Sequence, residues 1–173
     1  MARRAVISGL LLSGLLILLT AQASGTSDSA RTTISWTALP FARLSLEGES
    51  GQAITTRFAL PQPSETDLER GYREIPKALT LIAASNVRWR LAVRAVEADL
   101  GRSYDGTYVK PLSDFQVRAG DEPYRPISNT DQVIAHGPSG RHKVEVDYLI
   151  LFDRERHRPG DYHVTLTYTI TTD

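Results

Sequence analysis

The sequence predicts an all-β fold, a single antiparallel β-sandwich of about eight or nine strands with Ig-like or Greek-key connections. Three segments predict it. In residues 162–171, Tyr162, Val164, Leu166, Tyr168 and Ile170 alternate without a break with His163, Thr165, Thr167, Thr169 and Thr171. In residues 87–95, Val87, Trp89, Leu91, Val93 and Ala95 share one parity and Arg88, Arg90 and Arg94 the other. In residues 143–152, Val144, Val146, Tyr148, Ile150 and Phe152 do the same against Lys143, Glu145 and Asp147. Successive strand side chains point to opposite faces, so each segment lays one apolar face over a core.

The chain begins with Arg3 and Arg4, an apolar run over residues 5–20, and Ala21-Gln22-Ala23. A basic start, an apolar stretch and small residues at a cleavage site predict a signal peptide over residues 1–23, with an uncleaved anchor as the alternative. Residues 24–30 are small and polar and read as a flexible leader, which leaves residues 31–173 as the β domain. Residues 32–38 form a strand candidate with Ile34 and Trp36 on one face, followed by candidates over 41–46 and 53–60 around the turn glycines Gly48 and Gly51. Residues 61–76 hold Pro61, Pro63, Gly71 and Pro76 and read as a surface loop, although Ser64 with Asp67 fits a capping box for one helical turn. A strand follows over 77–83, then the arginine-bearing strand. Asp105-Gly106 is a hairpin signal, residues 112–117 a short strand and residues 121–126 a loop. Residues 132–135 are expected to pair with the next strand across Gly137-Pro138-Ser139-Gly140. The apolar end of that next strand, residues 149–152, marks it as central in its sheet.

Composition narrows the function. The chain has no cysteine, so core burial alone holds the fold, and lipidation through cysteine is excluded. Lys and Arg number 20 and so do Asp and Glu; losing Arg3 and Arg4 with the signal peptide makes the net charge −2. So even a balance gives no electrostatic reason to expect nucleic acid as partner. Beyond the leader, no segment is long and apolar enough to span a bilayer.

Candidate functional residues are sparse. Tyr104, Tyr108, Phe115 and Tyr124 cluster in the Gly- and Pro-punctuated middle, where aromatics stack on sugars or anchor an interface. Arg88, Arg90 and Arg94 stand on one strand face and suit an anionic glycan or lipid head group; the plainer reading pairs them with acids such as Glu145 and Asp147. The row Thr165, Thr167, Thr169 and Thr171 fits an open edge that accepts a partner's strand, or simply a solvated sheet face. His136 with His142, and His157 with His163, bracket turns in no metal-ligand spacing, and the expectation is no metal. Glu97 and Asp99 are an adjacent acid pair at a strand end. Ser139 lies in no nucleophile elbow, and no phosphate loop is present, so neither catalytic residues nor a cofactor are expected.

Trp89-Arg90-Leu91 and the distal run Tyr162, Leu166, Thr167, Tyr168 and Ile170 together resemble the two motifs of the WxL domain, a bacterial cell-surface module. Tyr168 stands where that pattern has Trp, and Ile170 where it has Leu. The Pro-Gly-x-Tyr entry at residues 159–162 is also similar to the last strand of spore-coat-U-like and other pilus-like secreted β-sandwiches. The resemblance implies an exported, non-catalytic structural or adhesive component of the bacterial envelope or surface, whose partners are other envelope proteins or cell-wall polymer. The alternative is a soluble periplasmic or secreted binding module that uses loops 104–124.

Overall fold

The computed structural model describes residue 33, residues 35–46 and residues 49–173. The predicted signal peptide, residues 1–23, and the leader, residues 24–30, lie outside the described residues. The chain divides into Met1–Thr37 and Ala38–Asp173, and every element below belongs to the second unit.

Twelve strands occur among the described residues: β1 Ala42–Leu46, β2 Glu49–Gly51, β3 Ala53–Ala59, β4 Tyr72–Ser85, β5 Trp89–Ala95, β6 Asp99–Arg102, β7 Val109–Pro111, β8 Phe115–Ala119, β9 Arg125–Pro126, β10 Gln132–Gly137, β11 Gly140–Leu151 and β12 His163–Thr172. Nine have four residues or more, in line with the strand number the alternation predicts. All pairings are antiparallel. One sheet runs β2-β1-β4-β11-β8-β9 and the other β10-β5-β12-β3, with β6 and β7 as a separate hairpin.

The inward parities meet between the sheets. Trp89, Leu91, Val93 and Ala95 of β5, the even residues 144–150 of β11 and the even residues 164–170 of β12 are all buried. Each fully buried large apolar side chain contributes about 1.5–3 kcal/mol. Phe58 of β3 and Phe115 of β8 pack on Tyr148 of β11 at 5.3 and 5.0 Å between ring centroids. At the middle of the core the Tyr148 and Tyr168 hydroxyls meet at 2.9 Å, one donating to the other across the two sheets.

Consecutive strands sit mostly in opposite sheets. β4 and β5 straddle the core, as do β11 and β12; β11 pairs β4 while β12 pairs β5, so the two crossovers lock each other. β11 is central, flanked by β4 and β8, as the two-sided apolar end of the strand predicts.

Several local expectations fail for identifiable reasons. Residue 33 and residues 35–38 carry no strand, and the Trp36 side chain is exposed; Thr32 and Ile34 lie outside the described residues. Residues 65–70 are helical, α1 Glu65–Arg70, not loop. The Ser64 hydroxyl accepts from the Asp67 amide, Asp67 accepts from the Ser64 amide, and Gly71 closes the helix with φ 77°, so the capping box prevails over the flanking prolines. β4 begins at Tyr72 and runs straight through Pro76. That is possible because Pro76, Lys77 and Ala78 bulge opposite the single residue Asp147, where a missing N–H costs no ladder bond. Finally, β10 does not pair with β11. It pairs with β5, and Gly137-Pro138-Ser139-Gly140 carries the chain from one sheet to the other.

Candidate functional site

The predicted site residues do not converge on one place. Phe115 is wholly buried in the core. Tyr124 lies on the outer face of the β4–β11–β8 sheet: its ring stacks under the Arg118 guanidinium, 4.4 Å away, and its hydroxyl donates to Glu74 at 2.6 Å. Burial, with the Glu74 bond behind it, pushes the Tyr124 phenol far up. Tyr104 and Tyr108 belong instead to the β6–β7 hairpin. The exposed Tyr104 donates to Asp161 at 2.8 Å, and burial raises Tyr108 to about 12.

The arginine strand is solvated and locally paired. Arg90 bridges to Asp173, and Arg94 to Asp131 at 3.7 Å. Arg88 makes no ion pair among the described residues, although its carbonyl accepts from the Asp173 amide. Glu145 and Asp147 therefore do not partner these arginines. They lie in the other sheet, where Glu145 holds Lys77 and Lys143 at 3.1 and 2.7 Å and Asp147 holds Arg118 at 2.8 Å. Asp147 also accepts from the Lys77 amide at 2.7 Å and so pins the bulge, where Lys77 has φ 50°.

Thr165, Thr167, Thr169 and Thr171 do not form an open edge. Their strand is hydrogen-bonded on both sides, to β3 and to β5, because Trp89–Ala95 and Ala53–Ala59 close over it. Glu97 and Asp99 are committed separately. Glu97 accepts from the Thr165 amide and hydroxyl at 2.8 and 2.6 Å, and Asp99 accepts from the Gly101 amide at 2.9 Å. Burial pushes the Glu97 carboxyl up, but the Thr165 bonds outweigh it and leave the group lowered. His142 tilts against Trp89, 5.5 Å between centroids, and bonds the Pro138 carbonyl at 3.1 Å, while His136 is exposed. His163 lies half-buried at the start of β12. Among the described residues, no three His, Asp or Glu side chains come together as a metal site.

Two features that no local pattern announces are built into the tertiary fold. The first is a cavity of about 330 Å³ at the end of the sandwich where β11 finishes and β12 begins. Gly160 lines it; a Cβ there would stand 2.7 Å from the Arg102 carbonyl, so only glycine lets the β6–β7 hairpin bridge to residue 160. The rim of β3 supplies Leu60, Pro61 and Pro63, and the opposite wall Phe152, Pro159 and Tyr162. His157 stands between two of these rings, 5.6 Å from Phe152 and 5.8 Å from Tyr162. Burial, then the nearby Lys110 charge, lowers its pKa, and its Nδ1 is buried without a hydrogen-bond partner. Lys110 is the inward residue of β7 and only 1% exposed. Its ammonium donates to Asp114 at 2.9 Å and to the Leu151 carbonyl at 2.7 Å, and lies 5.3 Å from the Phe152 ring centroid.

The second feature is the side of the sandwich between β8 and β10. β10 is the last strand of its sheet, and a groove of about 520 Å³ runs between it and β8, with Ala119, Ile134 and Ala135 at its base and Asp121, Glu122 and Arg125 along its rim. Val133, on the outward face of β10, is 43% exposed.

Among the described residues, these features define an antiparallel β-sandwich with a cavity at one end and a groove beside β10. No family model, no curated protein and no solved structure matches it.

Proposed function

We propose that this protein is an exported, non-catalytic structural or adhesive component of the bacterial envelope or surface, and that it works through contacts with other proteins or cell-wall polymer. The observation that carries the reading is the unpaired edge of β10 beside its groove. A free strand edge offers a row of backbone donors and acceptors, and a partner strand that adds there gains main-chain hydrogen bonds while the groove takes its side chains. The threonine strand, for which an open edge was one of two readings, lies inside the sheet, whereas β10 is the edge strand.

The resemblance to the WxL pattern is compatible with this reading only through the surface around the motifs. Trp89 is 2% exposed and Leu91, Leu166 and Tyr168 are fully buried, so these side chains pack the interior and do not meet a wall. A pull-down from bacterial envelope fractions tests the proposal. Wild-type protein retains a specific partner, and Val133→Lys, which plants a charge on the edge, releases it without moving the melting temperature. Retention by the variant as strong as by wild type, or no specific partner at all, refutes it.

A further inference from the structure

The two sheets end in four strands, β2, β9, β3 and β10. An unpaired edge invites pairing with another chain, and charge, proline or very short length normally blunts it. β2 has three residues and carries Glu49, β9 is Arg125-Pro126 alone, and β3 carries Arg57. β10 has six residues, Gln132-Val133-Ile134-Ala135-His136-Gly137, with no proline and no Asp, Glu, Lys or Arg. It is the sheet end that lacks these devices.

The register with β5 shows which way each side chain points. Gln132, Ala135 and Gly137 lie opposite the buried Val93, Leu91 and Trp89 and so face inward. Val133 and His136 lie opposite Ala92 and Arg90 and face outward. Ile134 is the extra residue of a bulge and is 8% exposed, so it faces inward too. Along β10 the order is therefore in, out, in, in, out, in, the same from either end. A bulge by itself blunts an edge; this one gives the strand a two-fold symmetric pattern. A two-fold interface uses one patch on both subunits, so that patch must be complementary to itself. We infer that the partner at the β10 edge is a second copy of this chain, its β10 antiparallel to the first about an axis between Ile134 and Ala135. That register sets Val133 opposite the partner's His136, Ile134 opposite the partner's Ala135 and Gln132 opposite the partner's Gly137. Each pair shares a face, and no like charges meet within the strand pair. The two four-stranded sheets become one continuous sheet. The inference rests on the reading of β10 as a working edge and names its occupant.

Sedimentation equilibrium of the purified protein tests it first. A monomer–dimer equilibrium with a dissociation constant of about 1–100 µM is expected. Val133→Lys should weaken it about tenfold or more with an unchanged melting temperature. Cross-linking tests the register, since the native chain has no cysteine. Residues opposite each other in an antiparallel pair stand about 4.5–5.5 Å apart at Cα, within disulfide reach. Val133 and the partner's Val133 stand about 10 Å apart, beyond it. Val133→Cys mixed with His136→Cys should therefore form a covalent dimer under mild oxidation, and neither variant alone should. A protein that stays monomeric at about 500 µM, well above such a constant, overturns the second copy. In that event the edge reading survives if Val133→Lys still releases a different envelope protein, and falls with the inference if it releases nothing. Cross-linking no faster in the mixture than in either variant alone, or a dimer that Val133→Lys leaves intact, also overturns the second copy.

Discussion

The buried Tyr148–Tyr168 pair permits a sharp test of how the two sheets are joined. Each hydroxyl has the other at 2.9 Å, and both side chains are almost wholly enclosed. Tyr168→Phe changes the shape of the core hardly at all and removes one oxygen. It leaves the Tyr148 hydroxyl buried without that partner, which costs about 1–3 kcal/mol. Tyr148→Phe does the same in reverse. When both are replaced, neither phenol hydroxyl remains to satisfy, and apolar rings of the same shape are nearly neutral. The double variant is therefore more stable than either single one, with a coupling of about 1–2 kcal/mol. Urea unfolding of the four proteins measures it, and thermal melts show single-variant losses of about 3–10 °C. Additive single effects would refute the assigned geometry.

The same two phenols predict an alkaline limb. Burial raises Tyr148, and raises Tyr168 well above the ordinary value near 10. A raised acid keeps its proton in the folded chain after the unfolded chain has lost it, so the stability it contributes is whole below pH 10 and declines as pH climbs toward the folded values. Stability of the wild type falls steeply above pH 10, and the double Phe variant has the shallower slope.

Three other perturbations follow from the packing. A Cβ on Gly137 would stand 2.7 Å from the Trp89 indole; Gly137→Ala should cost about 1–3 kcal/mol by chemical unfolding, and a Trp89→Phe background should absorb most of that cost. Asp147→Asn weakens both the Arg118 bond and the Lys77 amide bond at the bulge; a loss of about 1.5–3 kcal/mol and faster hydrogen exchange at the Lys77 amide are expected. Asp105 accepts from the Ser103 hydroxyl and from the Thr107 amide and hydroxyl, which lower its pKa from 3.8 to about 2. A lowered carboxyl contributes stability that is complete above pH 3.8 and declines as pH falls toward 2, so an NMR titration of Asp105 should show its midpoint near the lower value, and a midpoint near 3.8 would contradict the turn geometry.

What could be read in advance was whatever strict two-residue alternation encodes. β5 buries one whole parity, and β11 and β12 bury theirs over residues 144–150 and 164–170, because a strand with one apolar face has a single way to cover it. Partner choice is not encoded that way. Gly137-Pro138-Ser139-Gly140 has hairpin composition, yet it joins two sheets, since a turn's chemistry fixes only the reversal of the chain. Pro76 argued for a loop, and only the opposing Asp147, 71 positions further on, turns that stretch into a bulged strand. Lys110 is the extreme case. A lysine between Val109 and Pro111 reads as solvated, and its burial depends on Asp114 and on the Leu151 carbonyl, which no local pattern couples to it.

The segments that carry the resemblance to a surface module are those with the least surface to offer. Trp89, Leu91, Leu166, Tyr168 and Ile170 are all interior, and Trp89→Ala should cost about 3–5 kcal/mol whether or not anything binds. Loss of attachment in such a variant therefore reports unfolding and says nothing about recognition. Recognition has to be sought where backbone or polar groups remain uncommitted once the core is assembled. In this fold that points to the outer edge of β10, where the ladder stops.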